Sequence, residues 1–310
     1  MNSQNSSIIQ SANAMVFDYC KRAIGIPISH VLVSRIYEKN LVYKITISDG
    51  AVYSVKLFLN RNNPSQRYNL ENEILNIQKN CRFHTFRTKD ILFSHVLNDN
   101  EFYALTIRPW IAGTSTKDIL RDSFLTFNTL CLPLIKEACN ELWEKTPISD
   151  AIPVLSSVFS RNAFNTGLLS KVYPEDIVER FQSMHKQLNP KSQALSLING
   201  DISLHEFLLV ENGDMYVIDW EELSIGDPII DIAGIFYSIF EEQIKKMNLA
   251  EMMEYVKKYF EYFSVNRKTD FAYHFLERVA MADYYTHNQN SELITSALLL
   301  VDMLLQDDFS

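Results

Sequence analysis

After position 110, residues 195–219 are the stretch where the apolar pattern turns from helical to strand-like, and they limit what the chain can become. "FLLVENGDMYVID" sets two short apolar runs around Asn212-Gly213, a dipeptide that favours tight reversal because both residues tolerate positive φ. The pattern predicts a β-hairpin. Closing it draws the segment before "FLLV", with Asp201 and Glu206, toward the segment after "MYVI", which ends in Asp219. One acid at a strand end is ordinarily a turn cap or a surface residue. Three converging on one hairpin mouth repel one another unless a cation, usually Mg2+, holds them.

The rest of the chain divides around this feature. In residues 30–60, "LVYKITI" alternates, "SDG" is a turn signal and "AVYSVKLFL" returns as a second strand. In "NNPSQRYNLENEILNIQKN", Leu70, Ile74 and Ile77 recur at helical spacing. "DILFSHVL" and "EFYALTIRPW" resume strand character around the turn "NDNE". The first 109 residues therefore read as antiparallel sheet with one helix. From "AGTSTKDIL" the pattern is helical, with amphipathic stretches in "FLTFNTLCLPLIKEACNELWEKT" and "PEDIVERFQSMHKQL", the latter opening at Pro174. Residues 229–306 are again helical, interrupted near "SVNRKTD", while the segment around 150–173 resists assignment. The expectation is an α+β chain with a small antiparallel-sheet lobe over 1–109 and a larger, mostly helical lobe over 110–310.

Charge is uneven. The chain carries a net charge of −9, yet residues 1–109 hold 13 Lys/Arg against 8 Asp/Glu. A basic first third and an acidic remainder suit an anionic ligand on one part and a cationic one on the other, against the plainer reading of uneven solvated surface. So acidic a chain with no basic stripe is a poor match for nucleic acid. The N-terminus has neither a basic nor an apolar targeting region. "LITSALLLVDMLL" carries Asp302 and is too short to span a bilayer, so no membrane partner is expected. Four cysteines without C-x-x-C spacing read as buried free thiols, and the expected location is the cytoplasm.

Lys56 lies inside the apolar strand "YSVKLFL". Its stem can snorkel to water, or its ammonium can meet an acid, and Glu71 and Glu73 follow on the next helix. A strand lysine paired to a helix glutamate is how kinases grip nucleotide phosphates. With this lysine, "NGDISLHE" at 199–206, "IDWEE" at 218–222 and "GDPIIDIA" at 226–233 follow one another in order. Together they resemble the aminoglycoside phosphotransferase and choline kinase family of small-molecule kinases, which have a bilobal protein-kinase-like fold. That family's catalytic loop reads H-G-D-x-x-x-x-N, its metal loop I-D-W/F-E, and its tail G-D-P-x-x-D-[LI]-A. The resemblance covers about residues 30–240.

The resemblance implies transfer of the γ-phosphate of ATP or GTP to a hydroxyl of a small molecule, with Mg2+. Asp201 would accept the hydroxyl proton, and Asp219 would hold the metal. Lys56, fixed by Glu71 or less favourably Glu73, would hold the α/β-phosphates. Backbone at Ile107, Arg108 and Trp110 would bind the purine, within the limits set by Pro109, which lacks an N–H. The turn around Asn40 in "YEKNLVYK" would cover the phosphates, and Asp227 and Asp231 would cap or brace the loop. Two positions depart from the pattern. The loop histidine is Asn199, and the metal-binding asparagine is Glu206, a harder and more negative oxygen donor. His205 or Ser203 could share that role. Glu221, Glu222, Glu241 and Glu242 favour a cationic acceptor such as an aminoglycoside or amino alcohol, with residues 150–173 and the C-terminal helices shaping its pocket. The departures keep open a nucleotide-binding pseudoenzyme. A protein substrate is disfavoured, since no A-P-E-like or activation segment separates Asp219 from Asp227.

Overall fold

The computed structural model describes residues 3–25, 28–36, 39–80, 83–144, 152–155, 169–170, 172–188, 195–286 and 291–306. The chain forms two compact units. The first comprises Met1–Arg82, Arg87–Gly113 and Ile218–Glu221. Its strands β1 (Ile28–Ile36), β2 (Asn40–Ile47), β3 (Val52–Leu59), β4 (Phe93–Val96) and β5 (Phe102–Pro109) make an antiparallel sheet in the order β1-β2-β3-β5-β4. The alternation in β2 does what its period of two requires, sending Leu41, Tyr43, Ile45 and Ile47 into the core. Central β3 sets Lys56 opposite Val42 on one side and Thr106 on the other.

Two helices accompany this sheet where the sequence pattern had suggested one. Helix α1 (Ser3–Ile24) shares the core through Ala12, Val16 and Cys20. These recur every four residues but are small, and Met15, Phe17 and Tyr19 beside them spread apolar side chains beyond one face, so no stripe stands out before the sheet covers it. Helix α2 (Pro64–Asn80) is the expected one and buries Leu70, Ile74 and Ile77. Glu71 lies on that same inward face, one residue after Leu70.

The second unit comprises Phe83–Phe86, Thr114–Val217 and Glu222–Ser310. Helix α3 (Thr116–Asp122) leads through a π-helical segment, Phe127–Cys131, into α4 (Leu132–Trp143). Strand β6 (Gly113–Ser115) joins the hairpin of β9 (Phe207–Val210) and β10 (Met215–Val217). A second small sheet aligns β7 (Val154–Leu155) and β8 (Ser196–Ile198) on either side of β11 (Ser224–Gly226). Helices α5 (Glu175–Gln187), α6 (Pro228–Gln243), α7 (Leu249–Phe263), α8 (Lys268–Thr286) and α9 (Ser291–Gln306) complete it. Helix α6 is buried almost all round, as a central helix must be. Its Phe236 ring meets Tyr259, Phe271 and Phe275 at centroid distances of 5.2, 5.4 and 5.2 Å.

The hairpin forms where its sequence places it, with a different turn. Gly213 takes positive φ, 85°, while Asn212 does not. Asn212 acts through its side chain, whose Oδ1 accepts from the Asp214 amide at 3.0 Å, and the Val210 amide donates to the Asp214 carbonyl at 3.1 Å. Cys20, Cys131 and Cys139 are buried free thiols, and Cys81 lies outside the described residues. Most of the unassigned 150–173 segment also lies outside them. Among the described residues no helix is long and apolar enough to cross a membrane.

Helix α6 runs so close to the loop after β8 that a Cβ on Gly234 would sit 2.6 Å from the Ile202 carbonyl oxygen. A backbone atom cannot yield as a side-chain tip can. Gly234→Ala should therefore lower stability by about 1–3 kcal/mol, the usual range for overpacking, read as a lower urea midpoint, and should loosen residues 199–206 in hydrogen exchange.

Candidate active site

In the first unit an ammonium is buried in a β-sheet, and three carboxylates answer it. Lys56 Nζ donates to Asp219 Oδ1 at 2.5 Å and to Glu71 Oε2 at 3.2 Å, and lies 3.2 Å from Glu221. Burial works against the charged lysine, but the three acids outweigh it and hold its pKa above the ordinary lysine range. Of the two glutamates on α2, Glu71 is the one at Lys56, while Glu73 faces outward and accepts from Asn76 at 3.1 Å. Glu71 also receives the Arg108 guanidinium and, at 3.1 Å, the backbone amide of Trp220. Burial alone would raise the Glu71 carboxyl, yet Lys56 and Arg108 bring it down to about 2.

Glu221 is the member that the sequence did not single out at this cluster. Asn40 Nδ2 donates to both its oxygens at 3.0 and 2.8 Å, and Arg67 approaches it at 3.5 Å. Arg67 also donates to Asn40 Oδ1 at 2.9 Å and to the Arg61 carbonyl at 2.7 Å. The Asn40 side chain is therefore occupied in bracing the start of β2. A signal for Arg67 exists in the sequence: it stands three residues before Leu70, on the apolar stripe of α2, where a charge needs partners.

Asp219 sits in the left-handed region, φ 66°, a backbone state that costs a non-glycine residue on the order of 1 kcal/mol. The Lys56 contact and the Trp220 amide bond to Glu71 hold it there. Its side chain is 37% exposed. Desolvation raises its carboxyl, Lys56 opposes this, and Glu221 and Glu71 push the same way as burial, leaving it raised to about 6. A carboxylate whose charge is opposed by burial first and by neighbouring acids second, with an open edge, suits a divalent cation. The purine contacts expected on β5 are partly engaged. The backbone N–H of Trp110 already donates to the Val52 carbonyl at 2.9 Å, and the Ile107 carbonyl accepts from the Leu92 amide at 2.8 Å.

In the second unit, Asp201 lies on the loop after β8. Gly200 takes φ 83°, which turns its amide and that of Asn199 toward buried Asp231, at 2.9 and 3.0 Å. Trp143 Nε1 completes the Asp231 shell at 3.2 Å. Burial still raises the Asp231 carboxyl against these bonds. Asp227 caps α6 through the Ile229 amide at 3.0 Å and pairs with Arg267. Asn199 Oδ1 accepts from the Asp201 amide at 3.2 Å. Further along, Ser238 Oγ accepts the Leu204 amide at 3.3 Å, and Thr116 donates to the Leu204 carbonyl at 2.9 Å. Glu206 folds back so that its carboxylate accepts the Ser203 amide. Asp201 itself is half exposed and ion-paired to Arg278 of α8, a residue that the sequence reading passed over. Its signal was a charge among Phe275, Leu276, Val279 and Ala280, all buried.

Among the described residues no three His, Cys, Asp or Glu side chains gather as a ready-made metal cage. Asp219, Glu206 and Asp201 each engage a separate partner within their own unit. The acids proposed to attract a cationic acceptor are also engaged. Glu241 and Glu242 pair with Lys117, and Glu242 with Arg121 at 2.7 Å, while Glu221 belongs to the Lys56 cluster. Glu222 is buried.

The two perturbed acids of the first unit pull in opposite directions with pH. Glu71 gives stability that is present above its ordinary range and lost as pH falls toward about 2. Asp219 gives stability that is full below its ordinary range and lost as pH rises through about 6. The Asp219 contribution should therefore raise the ligand-free melting temperature as pH falls from about 7 to about 5, and Asp219→Asn should remove that part of the rise.

Comparison with known proteins follows this geometry. Residues 159–293, which include the loops of Asp201 and Asp219, match the model described as "Phosphotransferase enzyme family". No curated protein sequence matches the chain. Among solved structures, it is similar to a thermostable mutant of aminoglycoside phosphotransferase APH(4)-Ia, at TM-score 0.67 and 12% identity over 94% of this chain and 100% of that one. It is similar to the GDP and kanamycin complex of APH(2")-IIia, at TM-score 0.63 and 16% identity over 96% and 99%. It is also similar to the amicoumacin kinase hAmiN in complex with AMP-PNP, Ca2+ and Ami, at TM-score 0.64 and 11% identity over 88% of each chain. The stretch that carries the two aspartate loops thus matches the phosphotransferase enzyme family, and the chain has the protein-kinase-like fold of the aminoglycoside phosphotransferases.

Proposed function

We propose that this chain is a small-molecule kinase, moving the γ-phosphoryl group of ATP or GTP to a hydroxyl. The observation that carries the reading is the buried Lys56 shared by Glu71 and strained Asp219. A buried lysine with this many acids has no packing purpose that an apolar residue would not serve better. Lys56, steadied by Glu71, would take the α/β-phosphates once its bond to Asp219 is exchanged for them. Asp219 and Glu206 would hold Mg2+, which when bound would neutralise charge on the phosphates. Asp201 would orient the acceptor hydroxyl and take its proton as the acceptor oxygen bonds to phosphorus and the bridging oxygen leaves with the nucleoside diphosphate.

The acceptor would be an aminoglycoside or amino alcohol, as the antibiotics held by the similar proteins suggest. Because Glu221, Glu241 and Glu242 have internal partners, cation recognition would depend on other groups, so neutral polyols belong in the same screen. A second reading, a nucleotide-binding module without turnover, draws on Glu206, whose carboxylate is folded onto the Ser203 amide where the family pattern has an asparagine.

Thermal-shift titration with ATP, GTP and Mg2+, followed by nucleotide consumption over an acceptor library, tests both. Asp201→Asn should lower turnover by about 10²–10⁴-fold while nucleotide binding persists. Binding without consumption by any acceptor would favour the second reading, the more so if Glu206→Asn gains turnover. Absence of nucleotide binding would reject both.

A further inference from the structure

Among the described residues the half-exposed carboxylate of Asp201 has one charged partner, and that partner is built into the interior. Arg278 extends from α8, is 7% exposed, and spans two consecutive residues of the loop. Its Nη1 donates to Asp201 Oδ1, and its Nη2 donates to the Gly200 carbonyl at 2.9 Å. A planar guanidinium that bonds the carbonyl of one residue and the carboxylate of the next leaves that carboxylate little freedom about χ1 or χ2. Oδ2 takes no hydrogen bond from any described residue.

The fold makes room for this contact at some expense. Gly234 of α6 has no side chain, and a Cβ there would lie 3.4 Å from both Nε and Nη2 of Arg278. Nε itself is buried without a hydrogen-bond partner among the described residues. A buried unsatisfied N–H is uncommon and asks for a reason. Here the guanidinium reaches the loop with its two outer nitrogens and leaves the inner one unpaired. Meanwhile Asp231 holds the amides of Asn199 and Gly200, in the two peptide units just before the one whose carbonyl Arg278 bonds. The loop is therefore gripped by its N–H groups from α6 and by its carbonyl and carboxylate from α8.

We propose that Arg278 is a positioning residue for phosphoryl transfer, fixing Asp201 through Oδ1 so that Oδ2 is presented to the acceptor hydroxyl. This rests on the reading of Asp201 as the proton acceptor. Phosphoryl transfer passes through a loose transition state in which placement of the attacking oxygen matters more than early proton removal.

Hydrogen exchange on the full chain without ligands, compared among wild type, Arg278→Gln and Arg278→Lys, tests the inference without an acceptor. Arg278→Gln should speed exchange at residues 199–203 and leave α7 unchanged, with Arg278→Lys between the two. Turnover of Mg·ATP with the acceptor found in the screen adds a second arm. There, Arg278→Gln should lower kcat by about 10²-fold, as expected of a misplaced reacting group, with KM for nucleotide unchanged and Arg278→Lys recovering part of the loss. Exchange at 199–203 that matches wild type overturns the proposal. So does a loss that falls equally on nucleotide KM and on global melting. If wild type consumes no nucleotide with any acceptor, the function itself fails, and exchange alone decides whether Arg278 holds the loop.

Discussion

A charged lysine inside an apolar strand is the constraint from which the first unit follows. Burial of an uncompensated ammonium is prohibitive, so the sheet, α2 and residues 218–221 have to supply carboxylates at hydrogen-bonding range. Three of them do. Each then needs its own support, which brings Arg108 to Glu71 and Asn40 with Arg67 to Glu221. The result is a connected polar core whose members are nearly all buried. Asp219 is the exception, with an open edge, a strained backbone and a raised pKa. Such a residue, over-determined by its surroundings yet left reachable, is where chemistry is expected.

The second unit solves a different problem, holding an exposed loop still. Its means are backbone bonds to buried side chains rather than packing of the loop itself. Asp231 and Ser238 on α6 take amides from the loop, and Arg278 on α8 takes its carbonyl and its aspartate. The position that the family fills with a histidine is Asn199, whose side chain accepts the Asp201 amide. The loop is thus held by several modest bonds, one from its own Asn199 and the others from buried side chains on helices.

Much of this was legible along the chain because the informative spacings are short. Period-two alternation identified β2, the "SDG" turn and the apolar run after it identified β3, and Leu70, Ile74 and Ile77 identified α2. Asn212-Gly213 identified the hairpin, although the detailed turn depended on a side-chain bond that a dipeptide rule does not encode. Lys56 was conspicuous for being charged in an apolar run. Helix α1 was missed because its stripe of Ala12, Val16 and Cys20 carries little hydrophobic contrast until a sheet covers it. The cationic-acceptor argument counted Glu241 and Glu242 as available, and could not foresee Lys117 and Arg121 reaching them from more than a hundred residues away.

The sequence by itself determined the order of elements, the presence of a lysine in need of acids, and the two aspartate loops, because each depends on neighbours within a few turns of backbone. The tertiary structure decided which acids answer which base. Glu71 rather than Glu73 meets Lys56, Glu221 meets Arg67 across 154 positions, and Arg278 meets Asp201 across 77. Charge pairing acts through space with no preferred sequence separation, so a pattern read along the chain supplies the candidates and only the folded backbone brings one of them within about 3 Å.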